Sequence, residues 1–207
     1  MEPAGAQTFN APFPEGNPVL AGNPELTLCP PLARVHNRDM DSMSAQQRSQ
    51  LMSKIKGKNT KPELLVRKLL HAAGYRYRLQ GNIPRSTFEK ILKDHPDAHL
   101  PGGKLPGRPD LVFSARHKVV FVNGCFWHLH DCPAGQHAPQ TNAEFWEAKR
   151  TATRDRDLRS IVVLEDLGWQ SLVLWECELR DQEVVLDRLS RFLGASAGST
   201  AAPSKSV

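Results

Sequence analysis

Apolar residues recur at Val66, Leu69, Leu70 and Ala73, which are positions i, i+3, i+4 and i+7 of one helix face. The helix they predict opens at Thr60-Lys61-Pro62-Glu63, a capping box with proline in its first turn. It stops at Gly74, and spacing alone makes Glu63 a cap. A shorter helix is expected over Ser44–Lys56, with Met52 and Ile55 at i, i+3 and Gly57 as its stop. The period then shortens to two. Tyr75-Arg76-Tyr77-Arg78-Leu79 alternates as a strand does. Asp110-Leu111-Val112-Phe113 and Lys118-Val119-Val120-Phe121-Val122 flank a short turn, Ser114 to His117, and predict a hairpin of two buried strands. Thr141-Asn142-Ala143-Glu144 reads as a second capping box, opening a long helix from Phe145 to about Leu167. Trp169 to Trp175 is a third apolar strand, and Asp181 to Leu193 a final amphipathic helix.

The segment Gly81 to Lys104 is polar with scattered Pro and Gly, and reads as an insertion loop with one short helix, Thr87 to Lys93. His95 and His99 within it are expected to be solvated. Residues 1–43 are rich in Pro, Ala, Gly and Asn without periodicity, and residues 194–207 are small and polar; both are expected to be disordered tails around a single domain, 44–193. The order helix, helix, strand, hairpin, long helix, strand, helix predicts an α/β protein, a mixed β-sheet flanked by helices.

Charge adds a partner class to this picture. The chain of 207 residues carries a formal net charge of +5. From Ser44 to Gln80 there are nine Lys or Arg against one acid, Glu63. Such a stripe is either a solvated helical face or a phosphate-contacting surface. Four cysteines, three of them beside His, Trp or acidic residues, are too few and too widely spaced for a disulfide scaffold. No apolar run reaches the roughly 18 residues of a membrane span, and the start of the chain lacks a basic segment followed by an apolar one. A reducing, cytoplasmic setting is expected, with Cys29 an inert thiol.

The densest chemistry follows the hairpin. Asn123-Gly124-Cys125-Phe126-Trp127-His128-Leu129-His130-Asp131-Cys132 holds two thiols, two imidazoles and two large aromatics in ten residues. Cys125, His130 and Cys132, joined by Cys177 from the end of the third strand, are either a Cys₃His set of the kind that binds structural zinc or buried free cysteines with satisfied imidazoles. Asp131 and His128 are rival ligands. Asp110, after Pro109 at the start of the hairpin, stands where a nuclease can place a Mg²⁺-binding carboxylate. The second strand lacks the acid that usually accompanies it, and Asn123 occupies the place of a charged group. His128 is a candidate base, with Asp155 in Arg154-Asp155-Arg156 as the acid that orients it. Phe126, Trp127 and Trp146 are either core or wedges that enter a base step.

Leu105-Pro106-Gly107-Arg108-Pro109-Asp110, Gly124-Cys125-Phe126-Trp127-His128, Glu144-Phe145-Trp146, Arg154-Asp155-Arg156, Leu167-Gly168-Trp169 and Trp175-Glu176-Cys177 together resemble the very short patch repair (Vsr) DNA mismatch endonuclease family. The resemblance covers about Ser44 to Arg180. It implies a restriction-endonuclease-like fold and Mg²⁺-dependent nicking of duplex DNA 5′ to the thymine of a T·G mismatch, the lesion left by deamination of 5-methylcytosine. By matching position it implies Mg²⁺ on Asp110, water activation by His128, orientation of His128 by Asp155, and support from Glu63. It implies structural zinc on Cys125, His130, Cys132 and Cys177. Phe126, Trp127 and Trp146 would intercalate from the major groove, and Met52 and Ile55 would press from the minor groove. Asn123 departs from the His that the family often has there. A monomer is expected, with mismatched duplex DNA as substrate and mismatch-repair proteins as further partners. The competing readings are a zinc-stabilised DNA-binding protein without catalysis and a restriction-type nuclease acting on paired DNA.

Overall fold

The computed structural model describes residues 57–137, 139–140 and 142–196, with Gln46 and Gln50 as isolated positions. Both expected tails fall almost wholly outside these residues, as do Met52 and Ile55. Gln46 and Gln50, within the first expected helix, are helical.

Four strands form one open sheet in the order β1 (Arg78–Leu79), β2 (Leu111–Phe113), β3 (Lys118–Asn123), β4 (Gln170–Trp175). β1 and β2 are antiparallel, as are β2 and β3, while β3 and β4 run parallel. The helices are α1 (Lys61–Ala72), α2 (Arg85–Asp94), α3 (Pro133–Gln136), α4 (Ala143–Asp166) and α5 (Gln182–Leu193). This is the expected mixed α/β layering. The parallel β3–β4 pair requires a crossover, and α4 supplies it.

Both faces of the sheet are buried, which is why β2 and β3 read as near-continuous apolar runs rather than alternating ones. On one face, Val66 and Leu70 of α1 and Val185, Leu189 and Leu193 of α5 pack on Leu111, Phe113, Val120 and Leu174. On the other, Ile91 of α2 and Leu164 of α4 pack with Leu105 and Trp169 on Val112 and Val119. The supposed insertion loop is therefore half of a core. Phe88, Ile91 and Leu92, at i, i+3, i+4, turn the apolar side of α2 onto the sheet. That periodicity stands in the sequence and was masked by the polar residues around it.

Local signals fared unevenly. The Thr60–Glu63 capping box forms in both directions. At the long helix, by contrast, Asn142 is the N-cap in a left-handed conformation with no side-chain cap bond, and Thr141, on which the expected second box rests, lies outside the described residues. Asp181 lies outside the last helix and caps it, accepting from the N–H groups of Glu183 and Val184 at 3.1 Å. The first strand is shorter than its alternation predicts. Tyr75 and Tyr77 turn their rings edge-on to Phe113, and only Arg78 and Leu79 pair with β2.

Candidate active site and metal cluster

The register of β3 and β4 brings the chemistry together. Asn123 pairs with Trp175, so Cys125 and Cys177, each two residues further on, emerge at the same end of the sheet. His130 stacks flat on Trp175, with ring centroids 4.2 Å apart and planes at 20°. Its Nδ1 lies 3.4 Å from Cys177 Sγ. The donor atoms of Cys125, His130, Cys132 and Cys177 all lie within 4.8 Å of one another. Ligand atoms of a tetrahedral thiolate site at ~2.3 Å from the metal sit roughly 4 Å apart, so the set fits a four-coordinate ion. Hydrogen bonding from Cys177 leads the effects that draw the Cys125 thiol far below its ordinary range, whereas burial pushes Cys132 up. Of the two rival ligands, Asp131 is exposed and outside the cluster, and His128 points elsewhere.

His128 Nδ1 is in short hydrogen-bonding contact with Asp157 Oδ2 on α4. This corrects the expectation that Asp155 aims the imidazole. The two acids are two residues apart, hence about 200° around the helix. Asp155 turns outward, 3.5 Å from Arg154 with its side chain 41% exposed, whereas the Asp157 side chain is 28% exposed.

Asp110 precedes β2 and, because β2 and β3 are antiparallel, meets the end of β3. Its Oδ2 accepts the Val122 N–H at 2.8 Å, and Gln80 Nε2 reaches its Oδ1 at 3.5 Å. Three residues before Asp110, Gly107 (φ +68°) packs so closely on α4 that a Cβ would come 2.7 Å from Ser160 Cβ. Burial raises the Asp110 pKa to about 6; the Val122 N–H opposes this, Glu63 adds to it, and Arg67 and His128 oppose it. Burial disfavours the ionised form of this carboxylate, and its oxygens are the donor type that a hard divalent ion takes. The fit is with oxygen ligation and open positions, unlike the sulfur cluster.

Glu63 is only 4% exposed. It accepts from Asn59 N–H at 3.0 Å, Thr60 Oγ1 at 3.0 Å and Arg67 Nη2 at 2.8 Å. Arg67 also donates to Asn59 Oδ1 at 2.6 Å, and its backbone carbonyl accepts from the Tyr77 hydroxyl at 3.0 Å. The capping acid also acts electrostatically on Asp110, whose pKa it helps to raise. Arg67 was absent from the expected site, although its i+4 spacing from Glu63 was there to be read. Asn123, the last residue of β3, is 8% exposed and lies beside Asp110's partner Val122.

Phe126, Trp127 and Trp146 form one edge-on aromatic cluster, with centroids 5.0 to 6.0 Å apart. Phe126 and Trp127 are half-buried, and Trp146, 5% exposed, is their floor. Phe145, 58% exposed beside Trp146, extends the apolar surface outward. Lys149 places its ammonium 5.4 to 5.8 Å from the rings of Trp127, Phe145 and Trp146.

A buried carboxylate near an imidazole–carboxylate pair, at the end of a mixed sheet, is an arrangement suited to hydrolysis. The sequence profile of the family described as DNA mismatch endonuclease Vsr matches residues 40–87 and 98–134, and the gap between them falls within and just beyond α2. The type II nicking enzyme V.XorIIP of Xanthomonas oryzae pv. oryzae is 40% identical over 156 residues, 75% of this chain and 98% of that protein. V.NmeAIP of Neisseria meningitidis serogroup A is 37% identical over 153 residues, 74% of this chain and 94% of that protein. The DNA mismatch endonuclease Vsr of Escherichia coli K12 is 46% identical over 83 residues, 40% of this chain and 53% of that protein. The class is that of DNA-cleaving hydrolases. Within it, the chain belongs to the Vsr endonuclease family. Among the described residues, no helix is long and apolar enough to cross a membrane.

Proposed function

We propose that this chain is a mismatch endonuclease that nicks one strand of duplex DNA 5′ to the thymine of a T·G mismatch. The observation that carries the chemistry is the His128–Asp157 pair within electrostatic reach of the buried Asp110. An ionised Asp157 requires the proton on His128 Nδ1. That leaves Nε2 as an acceptor for a proton from the attacking water. Asp157 then stabilises the imidazolium that results. Asp110 would hold Mg²⁺ together with phosphate oxygens and water. A bound Mg²⁺ supplies positive charge against the charge that develops on the phosphate. Asn123 would donate to a phosphate oxygen without adding charge. Glu63, fixed by Arg67 and its own helix start, would support the pocket without moving. The sheet with its acid at the hairpin start fits a restriction-endonuclease-like fold.

Cys125, His130, Cys132 and Cys177 would hold zinc. With all four donors from the protein, such an ion has no open position and serves structure, tying the loop after β3 to the end of β4. Phe126 and Trp127, backed by Trp146, are the wedge; Met52 and Ile55 would meet the opposite groove. Mismatch choice follows from the lower cost of unstacking a distorted step. The names of the relatives, nicking enzymes and a mismatch endonuclease, support this reading. A DNA substrate and thiols kept for metal fit a cytoplasmic monomer acting ahead of mismatch-repair proteins.

The test is incubation of the protein and Mg²⁺ with end-labelled duplexes that do or do not carry one T·G mismatch. A single nick on the mismatched strand is expected. Equal cleavage of both duplexes would indicate a nuclease for paired DNA, and binding without a nick would indicate a DNA-binding module.

A further inference from the structure

The loop from Gly124 to His137 carries the wedge, the base and three of the four cluster donors, yet its only regular element is the four-residue α3. Main-chain carbonyls outside a ladder need donors. Three of them receive theirs from one side chain. Arg150 of α4 is 4% exposed. Its Nε donates to the Phe126 carbonyl at 2.7 Å, its Nη2 to the Gly135 carbonyl in a short contact, and its Nη1 to the His137 carbonyl at 3.4 Å. The guanidinium also lies 4.6 Å from the centroid of the Phe126 ring. Burial lowers its pKa, with Glu147 opposing, so desolvating this charge has a cost. An apolar residue would fill the volume without that cost. What only a planar fork provides is three donors in fixed directions plus a face for an aromatic ring.

Helix phase explains what the fork accomplishes. Trp146, Arg150 and Asp157 lie within about 40° of one another around α4. Along one stripe the helix therefore meets the aromatic rings, the backbone of Phe126 and Gly135, and His128. Gly135 itself is packed so closely on the His130 carbonyl that no Cβ fits. The loop has two ends pinned by Arg150, with wedge and base between them.

We propose that Arg150 is a specificity-positioning residue: it holds Phe126 and Trp127 at a fixed projection from α4, so that wedge entry selects the unstacked step. This rests on the wedge reading of the proposed function. Arg150 touches neither the reacting atoms nor the cluster donors. Its loss acts on entry and discrimination rather than on proton transfer.

The test is R150M in the full chain, loaded with zinc and assayed with Mg²⁺. The ratio of kcat/KM on mismatched over paired duplex is expected to fall by about tenfold or more, through KM, as suits the loss of charge-assisted hydrogen bonds. The fluorescence rise of a 2-aminopurine placed beside the mismatch should fall with it. The pH profile of kcat and the zinc content should match wild type. In the free protein, amide hydrogen exchange over residues 124–137 should quicken. Unchanged discrimination, unchanged exchange, or a loss of zinc that accounts for the defect would each overturn the proposal. If R150M does not fold, R150K, which keeps the cation but not the fork, is judged by the same readouts. A wild-type enzyme that does not discriminate would overturn the mismatch reading; the exchange rates report separately on Arg150's hold of the loop.

Discussion

One loop feeds two sites of opposite design. The sulfur cluster takes Cys125, His130 and Cys132 from the loop and closes with Cys177, so all its donors come from one sheet end. The carboxylate pocket gathers Glu63 from α1, Asp110 from the start of β2, His128 from the loop and Asp157 from α4. The first is complete within the protein. The second contains a raised carboxyl and no neutralising partner of its own beyond Arg67 and His128 at a distance. A closed donor set suits a structural ion and an open one a reacting ion, and the proposed places of zinc and Mg²⁺ follow that difference.

The largest separation between them should come from Asp110→Asn. Nicking is expected to fall by on the order of 10³-fold, while binding to mismatched duplex, measured by mobility shift in Mg²⁺-free buffer, stays within about twofold. Substantial residual nicking would remove Asp110 from the pocket's chemistry. Cys177→Ser should have the reverse signature. Metal content by elemental analysis should drop, and the melting temperature should fall by about 10 °C, with nicking lost only as the fold is lost. Zinc stoichiometry equal to wild type would break the assignment of the closed site.

A smaller effect tests the pair on His128. Asp157→Asn should lower kcat by about 10²-fold, in the range of general-base contributions, because the amide no longer enforces the Nδ1–H tautomer. Asp155→Asn should leave kcat within about twofold. Equal losses would mean that neither acid aims the imidazole.

This pair also marks where reading from sequence succeeded and where it stopped. The cysteine cluster was legible because its donor types are rare and three of them lie within eight residues. The two-strand hairpin was legible from its two apolar runs, whereas Asp110 stood out only through the family resemblance, since an Asp before a strand is by itself more often a turn residue. The acid on α4 was not: Asp155 and Asp157 both sit between arginines or beside one, the helix is amphipathic by no clear stripe, and only the packed phase of α4 decides. Arg150 gave no signal in the sequence because its partners are backbone carbonyls, which sequence does not display. Likewise the short helix expected over Thr87 to Lys93 forms as α2, but its charges hid that Phe88, Ile91 and Leu92 cover a face of the sheet.

The finest distinction concerns stability rather than rate. Asp110 rises from an ordinary 3.8 to about 6 in the folded, metal-free chain, chiefly by burial. A carboxyl whose folded pKa exceeds its unfolded one binds protons more readily when folded. Its contribution is therefore fully present below about pH 4 and lost as pH rises through about 6. At pH 7 the buried charge costs on the order of 3 kcal/mol, while the zinc-bound thiolates, which take up protons when the chain unfolds, contribute a slope of the opposite sign that is the same in wild type and variant. In Mg²⁺-free buffer, urea unfolding of wild type against Asp110→Asn between pH 5 and pH 7 should show the variant gaining relative stability as pH rises, with Mg²⁺ narrowing the gap by favouring the ionised wild type. A pH-independent difference would mean that the fold does not work against the Asp110 charge, and that the contrast between an open, cation-seeking site and a closed one is drawn in the wrong place.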